Sequence, residues 1–185
     1  MAFPRNNFKR RGIAGLAVIF NLLCVASGSA QGVTLESAGV RFGISARQHF
    51  PDFKQSEAFV NWNLPWSYRL FPRWHMQWRL DCSAGWLGGN GDDAAIFSSG
   101  PSLAVRRDHI PLAIEFGTIP TLVSRDTFGS KSIGSLLQFT TYGALDLNLG
   151  RHARLGYRFQ HMSNAGLDGN NPGLNLHVLQ VSWGF

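Results

Sequence analysis

Three residues near the end of this 185-residue chain could carry out acyl-transfer chemistry: His161, Ser163 and Asn175. His161 and Ser163 lie two positions apart in Phe159-Gln160-His161-Met162-Ser163-Asn164. On an extended strand that spacing puts both side chains on one face. An imidazole beside a hydroxyl is a base beside a nucleophile, and a polar third group that holds the ring completes the set. The parity of His161 and Ser163 is that of Ala153, Leu155, Tyr157 and Phe159, an apolar stripe. Two readings follow. Either the hydrophobic band has ended and these are ordinary rim residues, or they act on something apolar. The pattern alone leaves both open.

The elements that must position them read as strands. The closing segment, Asn175 to Phe185, puts Asn175, Leu179, Val181, Trp183 and Phe185 on one face and Gln180, Ser182 and Gly184 on the other. A terminal Phe with an aromatic two residues earlier resembles the closing strand of bacterial outer-membrane barrels. The same alternation recurs upstream. Val40, Phe42 and Ile44 oppose Arg41 and Gly43, and Ala58, Val60, Trp62 and Leu64 oppose Phe59, Asn61 and Asn63. Trp74, Met76, Trp78, Leu80 and Cys82 oppose His75, Gln77, Arg79 and Asp81. Leu103 and Val105 suggest a short fourth strand. Leu112, Ile114 and Phe116 oppose Ala113, Glu115 and Gly117, and Phe139, Leu145, Leu147 and Leu149 oppose Gln138, Thr140, Asp146 and Asn148. With the two C-terminal segments this predicts an all-β fold, an eight-stranded antiparallel transmembrane barrel of the bacterial outer membrane over residues 31–185. A soluble sandwich or lipocalin also alternates, but its greasy face would point inward.

The N-terminus and the aromatics favour the membrane. Arg5, Lys9, Arg10 and Arg11 precede an apolar run from Ile13 to Val25, and small residues follow up to Ala30. That is the layout of a secretory signal, so residues 1–30 are expected to be a signal peptide cut after Ala30. The run is too short for a transmembrane helix. The residues around Arg10-Arg11 do not support twin-arginine export, and Cys24 lacks the context of a lipoprotein site. The first 30 residues hold four of the 17 basic residues and none of the 11 acidic ones, so the net charge falls from +6 to +2 on cleavage. Nucleic acid is therefore not an expected partner. Only Cys82 would remain, which excludes an intramolecular disulfide. Trp66, Trp74, Trp86 and Trp183 are among the large amphipathic rings that suit a membrane interface.

If both termini are periplasmic, odd-numbered strands run outward. His161 and Ser163 then reach the extracellular rim, on the lipid face. The loop from Asn164 to Gly173 follows, and Asn175 opens the neighbouring strand with outward parity. The natural substrate of a nucleophile facing lipid is a lipid.

The run Tyr157-Arg158-Phe159-Gln160-His161-Met162-Ser163-Asn164-Ala165-Gly166, with Asn171-Pro172-Gly173-Leu174-Asn175, resembles the outer-membrane lipid A 3-O-deacylase family. Its members are eight-stranded barrels that hydrolyse the ester at the 3-position of lipid A. The resemblance implies Ser163 as nucleophile, His161 as general base, and Asn164 with the loop around Gly166 as oxyanion hole. Asn171 matches a further polar position. The family pattern has Glu where this chain has Asn175, so a charge is missing at the orienting position. His177 and Asp168 are lesser candidates for that role. The substrate implied is lipid A or lipopolysaccharide among outer-membrane lipids, with no metal or other cofactor. His75, His109 and His152 read as lumen or rim residues, and a homodimer is left open. Two other functions compete. One is a non-enzymatic barrel of structural, adhesion or solute-related kind. The other is a palmitoyl-transferring barrel, which needs a lumen that holds an acyl chain.

Overall fold

The computed structural model describes residues 32–46, 53–167, 169 and 171–185. The expected signal segment and Asp168 lie outside them. The strands are β1 (Thr34–Ser45), β2 (Lys54–Phe71), β3 (Trp74–Gly89), β4 (Asp92–Arg107), β5 (Leu112–Val123), β6 (Thr127–Phe128), β7 (Lys131–Ser132), β8 (Leu137–Leu149), β9 (Ala153–Ser163) and β10 (Leu174–Gly184). Eight of them close into a barrel in the order β1-β10-β9-β8-β5-β4-β3-β2, and β6–β7 is a separate two-residue hairpin. All neighbours pair antiparallel.

The alternation predicted from the sequence appears as alternating burial. Along β9, Tyr157, Phe159 and His161 are exposed, while Arg158, Gln160 and Met162 are buried. The outer wall carries Phe42, Ile44, Ile114, Phe116, Leu145, Leu155, Leu179 and Val181, all exposed. The lumen carries Arg41, Arg79, Asp81, Glu115 and Gln180, all buried. A soluble barrel would reverse the two faces. Apolar outside and polar inside is the arrangement that a lipid solvent selects.

Two expectations need correction. The fourth strand is not short: β4 runs 16 residues, because its first half alternates small residues, Ala94 and Ser98 inward and Ala95 and Ser99 outward, which carry little hydrophobic signal. β2 extends past Leu64 to Phe71, across a register shift between Asn63 and Ser67 that contains Pro65. Proline offers no ladder donor. The Gln77 side-chain amide serves the irregular stretch, donating to the Leu64 carbonyl at 2.6 Å and the Trp66 carbonyl at 3.2 Å.

The lumen has two layers. Toward the rim that holds both barrel ends, where Ser37 pairs with Gly184, it is ionic. Arg41 grips Asp81 through both guanidinium nitrogens at 3.3 and 2.7 Å, and Arg158 stands 3.5 Å from the same carboxylate. Arg79 donates to Glu115 at 2.6 Å and lies 3.5 Å from Glu36, which also takes Arg106 and Arg154. Toward the other rim the filling is apolar: Phe53, Leu87, Ile96, Phe128, Met162 and Leu176, with the Phe53 and Phe128 rings edge-on at 5.1 Å. An internal cavity bounded by Gln55, Glu57, Thr140, Arg158 and Gln160 holds only about 10 Å³. That cavity is too small to hold an acyl chain.

Removing one member of a buried ionic set strands the others, at a cost of about 3–5 kcal/mol. Asp81→Ala leaves Arg41 and Arg158 facing each other. It is expected to lower the unfolding free energy of the refolded barrel by an amount in that range, read as a lower denaturant midpoint. An unchanged midpoint would show that water or a neighbouring carboxylate takes over.

Candidate active site

His161 and Asn175 are direct register partners on β9 and β10. Their side chains meet on the outer wall, His161 Nδ1 to Asn175 Oδ1 at 2.6 Å. An amide oxygen only accepts, so Nδ1 carries the proton and Nε2 keeps its lone pair. Ser163 occupies the next outward position of β9, half-buried, with fully inward Met162 between. Its neighbour on β8 is Phe139. Ser163 makes no hydrogen bond to the ring among the described residues. Contacts of this kind commonly tighten when substrate binds.

The loop that follows is tied to itself. The Asn164 N–H donates to Asn171 Oδ1 at 3.2 Å, and the Gly166 N–H donates to Asn164 Oδ1 at 2.9 Å. Asn164 is buried although it follows a rim residue. Ala165 and Gly166 both have positive φ, 54° and 79°, which turns the chain back within two residues. So Asn164, Gly166 and Asn171 are tied to one another in the turn that follows Ser163. In this structure, though, both backbone N–H groups are already engaged.

His177 is occupied elsewhere. Its Nδ1 meets the Tyr157 hydroxyl at 2.7 Å, one outward position below Asn175. His75 pairs with Asp108 at 3.0 Å, and His152 stacks on Trp183 at 4.7 Å. Both sit at the rim of the barrel ends, away from His161. Among the described residues, no group of three His, Cys, Asp or Glu could hold a metal ion.

Sequence reasoning missed one residue of the site. Gly173 has φ of 62°, and a Cβ there would lie 2.7 Å from His161 Cε1. The return of the loop therefore presses its backbone against the imidazole. The signal was the Asn-Pro-Gly turn just before Asn175. Gly173→Ala is expected to push the ring off Asn175 and to lower kcat by about tenfold or more, ~1.4 kcal/mol of barrier, with little change in barrel stability. Wild-type kinetics from that variant would show that the loop, not the ring, yields.

The lipid A 3-O-deacylase (PagL) family model matches residues 56–184, a span that includes β9, the loop and β10. The chain belongs to that family. The lipid A deacylase PagL of Bordetella bronchiseptica is 39% identical over 72 residues, which is 39% of this chain and 40% of that one. The chain thus matches about two-fifths of the length of this curated relative. The crystal structure of the outer membrane enzyme PagL superposes with a TM-score of 0.69, at 20% identity, over 79% of this chain and 97% of that one. At that identity the superposition speaks for the fold, a closed eight-stranded barrel.

Proposed function

We propose that this protein is a lipid A 3-O-deacylase of the bacterial outer membrane, working as a serine-type esterase. The observation that carries the reading is the His161–Asn175 hydrogen bond on the lipid-facing wall, with Ser163 one outward position further toward the rim. A polar pair of this kind at the edge of an apolar wall meets esters at the boundary between acyl chains and headgroups.

The chemistry runs as acyl transfer. His161 Nε2 takes the Ser163 proton as Oγ attacks the ester carbonyl. The tetrahedral oxyanion needs preorganised donors. Asn164 and the Gly166 N–H are the groups at hand, which requires the Gly166 N–H to leave Asn164 Oδ1 for the substrate oxygen. Collapse returns the proton to the sugar 3-oxygen and leaves a 3-hydroxyacyl ester on Ser163. Water, deprotonated by the same Nε2, then releases the fatty acid. Asn175 holds the ring throughout but lends no charge to the imidazolium.

Mass spectrometry of lipid A from cells with and without the protein tests this. The expected difference is the loss of one hydroxyacyl chain. Identical spectra under expression of folded protein would support a non-enzymatic barrel instead.

A further inference from the structure

Ladder pairing lapses between β4 and β5. The strands pair from Ile96↔Val123 to Ser98↔Thr121 and again from Ser102↔Gly117 to Arg106↔Ala113. Between these stretches Ser99, Gly100 and Pro101 oppose Thr118, Ile119 and Pro120 without pairing. The register is the same on both sides and the backbones stay close: a Cβ on Gly100 would lie 3.5 Å from Ile119 Cα, and one on Gly117 3.3 Å from the Pro101 carbonyl oxygen. Each strand carries a proline here, which has no N–H to give. A wall in lipid normally pairs every backbone group internally, so such a lapse is an exception.

A groove of about 340 Å³ lies over this stretch on the outer wall, lined chiefly by Trp78, Pro101, Leu103, Phe116 and Thr118, with Ser102 and Thr141 also bordering it. Beneath the wall Ile119, Tyr142 and Ala144 form a buried cluster, and the Arg158 guanidinium lies 3.4 Å over the Tyr142 ring. The groove is thus mainly apolar on the side that faces lipid.

Its place relative to the site is fixed by register. Thr118 pairs with Thr141, and Thr141 pairs with His161. At about 4.8 Å per strand, Thr118 stands ~10 Å from His161 along the row. One lipid with several acyl chains covers that distance. We infer that the groove over the β4–β5 stretch holds a second acyl chain of lipid A, one that is not cleaved. The inference rests on the deacylase reading. It makes the groove a determinant of affinity for multi-chain substrate.

The first test uses the wild-type protein in detergent micelles and lipid A that carries a photoactivatable diazirine in a non-scissile chain. Peptide mapping is expected to place the adduct within residues 101–103 or 116–118. Adducts spread evenly around the wall would overturn the inference. The second test fills the groove from the lipid side with Thr118→Trp or, from the other strand, Leu103→Trp. Each is expected to raise KM for multi-chain lipid A about tenfold, with kcat within twofold. KM for a glucosamine phosphate bearing only the scissile chain should move less than twofold. Equal shifts on both substrates, or none on either, would overturn it. Retained deacylation in Ser163→Ala is a separate outcome, which would remove the serine mechanism and leave the mapped adduct standing.

Discussion

Ser163→Ala is expected to abolish deacylation of lipid A while leaving the folded barrel intact. Loss of a serine nucleophile commonly lowers kcat by about 10³-fold to 10⁶-fold, since the whole covalent route goes with it. The fold should not notice. Ser163 ends β9 at the rim, is half-buried, and packs no part of the lumen. The measurement is lipid A turnover by refolded protein, with heat-modifiable gel mobility as the check on folding. Wild-type turnover in the variant would mean that the hydroxyl is not the nucleophile.

Asn175→Leu should cost nearly as much. It removes the acceptor of the 2.6 Å bond to His161 Nδ1, so the ring loses both its tautomer and its orientation. A fall in kcat of about 10²-fold or more is expected, with a stable barrel, because a leucine suits an outward position. Asn175→Glu tests the other half of the argument. A carboxylate at that position orients the ring and also stabilises the imidazolium, so turnover should be kept or raised. If Asn175→Leu turns over normally, another group orients the ring and the triad reduces to a dyad.

Much of this site was legible in the sequence because strand parity is a strict rule. The i, i+2 spacing of His161 and Ser163, with Leu155 and Tyr157 below them, is enough to put both outside once the wall is known to be apolar. Asn175 could be placed beside them because the closing strand has the same alternation. Three features were not legible, each for a physical reason. The first half of β4 reads Asp-Asp-Ala-Ala-Ile-Phe-Ser-Ser, so its two faces have matching residue types and burial there follows from neighbours and not from side-chain type. The apolar layer of the lumen depends on Phe53, Phe128 and Met162 meeting across strands distant in sequence. The pressure of Gly173 on the imidazole is a backbone approach, and a glycine announces the freedom to make one without saying toward what.

The position of Asn175 has a consequence for biogenesis. β10 joins β9 on one side and β1 on the other, so it is the strand whose pairing turns an open sheet into a cylinder. The acceptor that holds the imidazole arrives only with that strand. A chain whose β10 has not yet paired with β9 has the hydroxyl and the ring on β9 but no Asn175 to hold the ring. The pairing that brings it is the β9–β10 hairpin, not the β1–β10 seam. The proposed triad is therefore complete once the last hairpin of the chain has zipped, whatever the state of the seam.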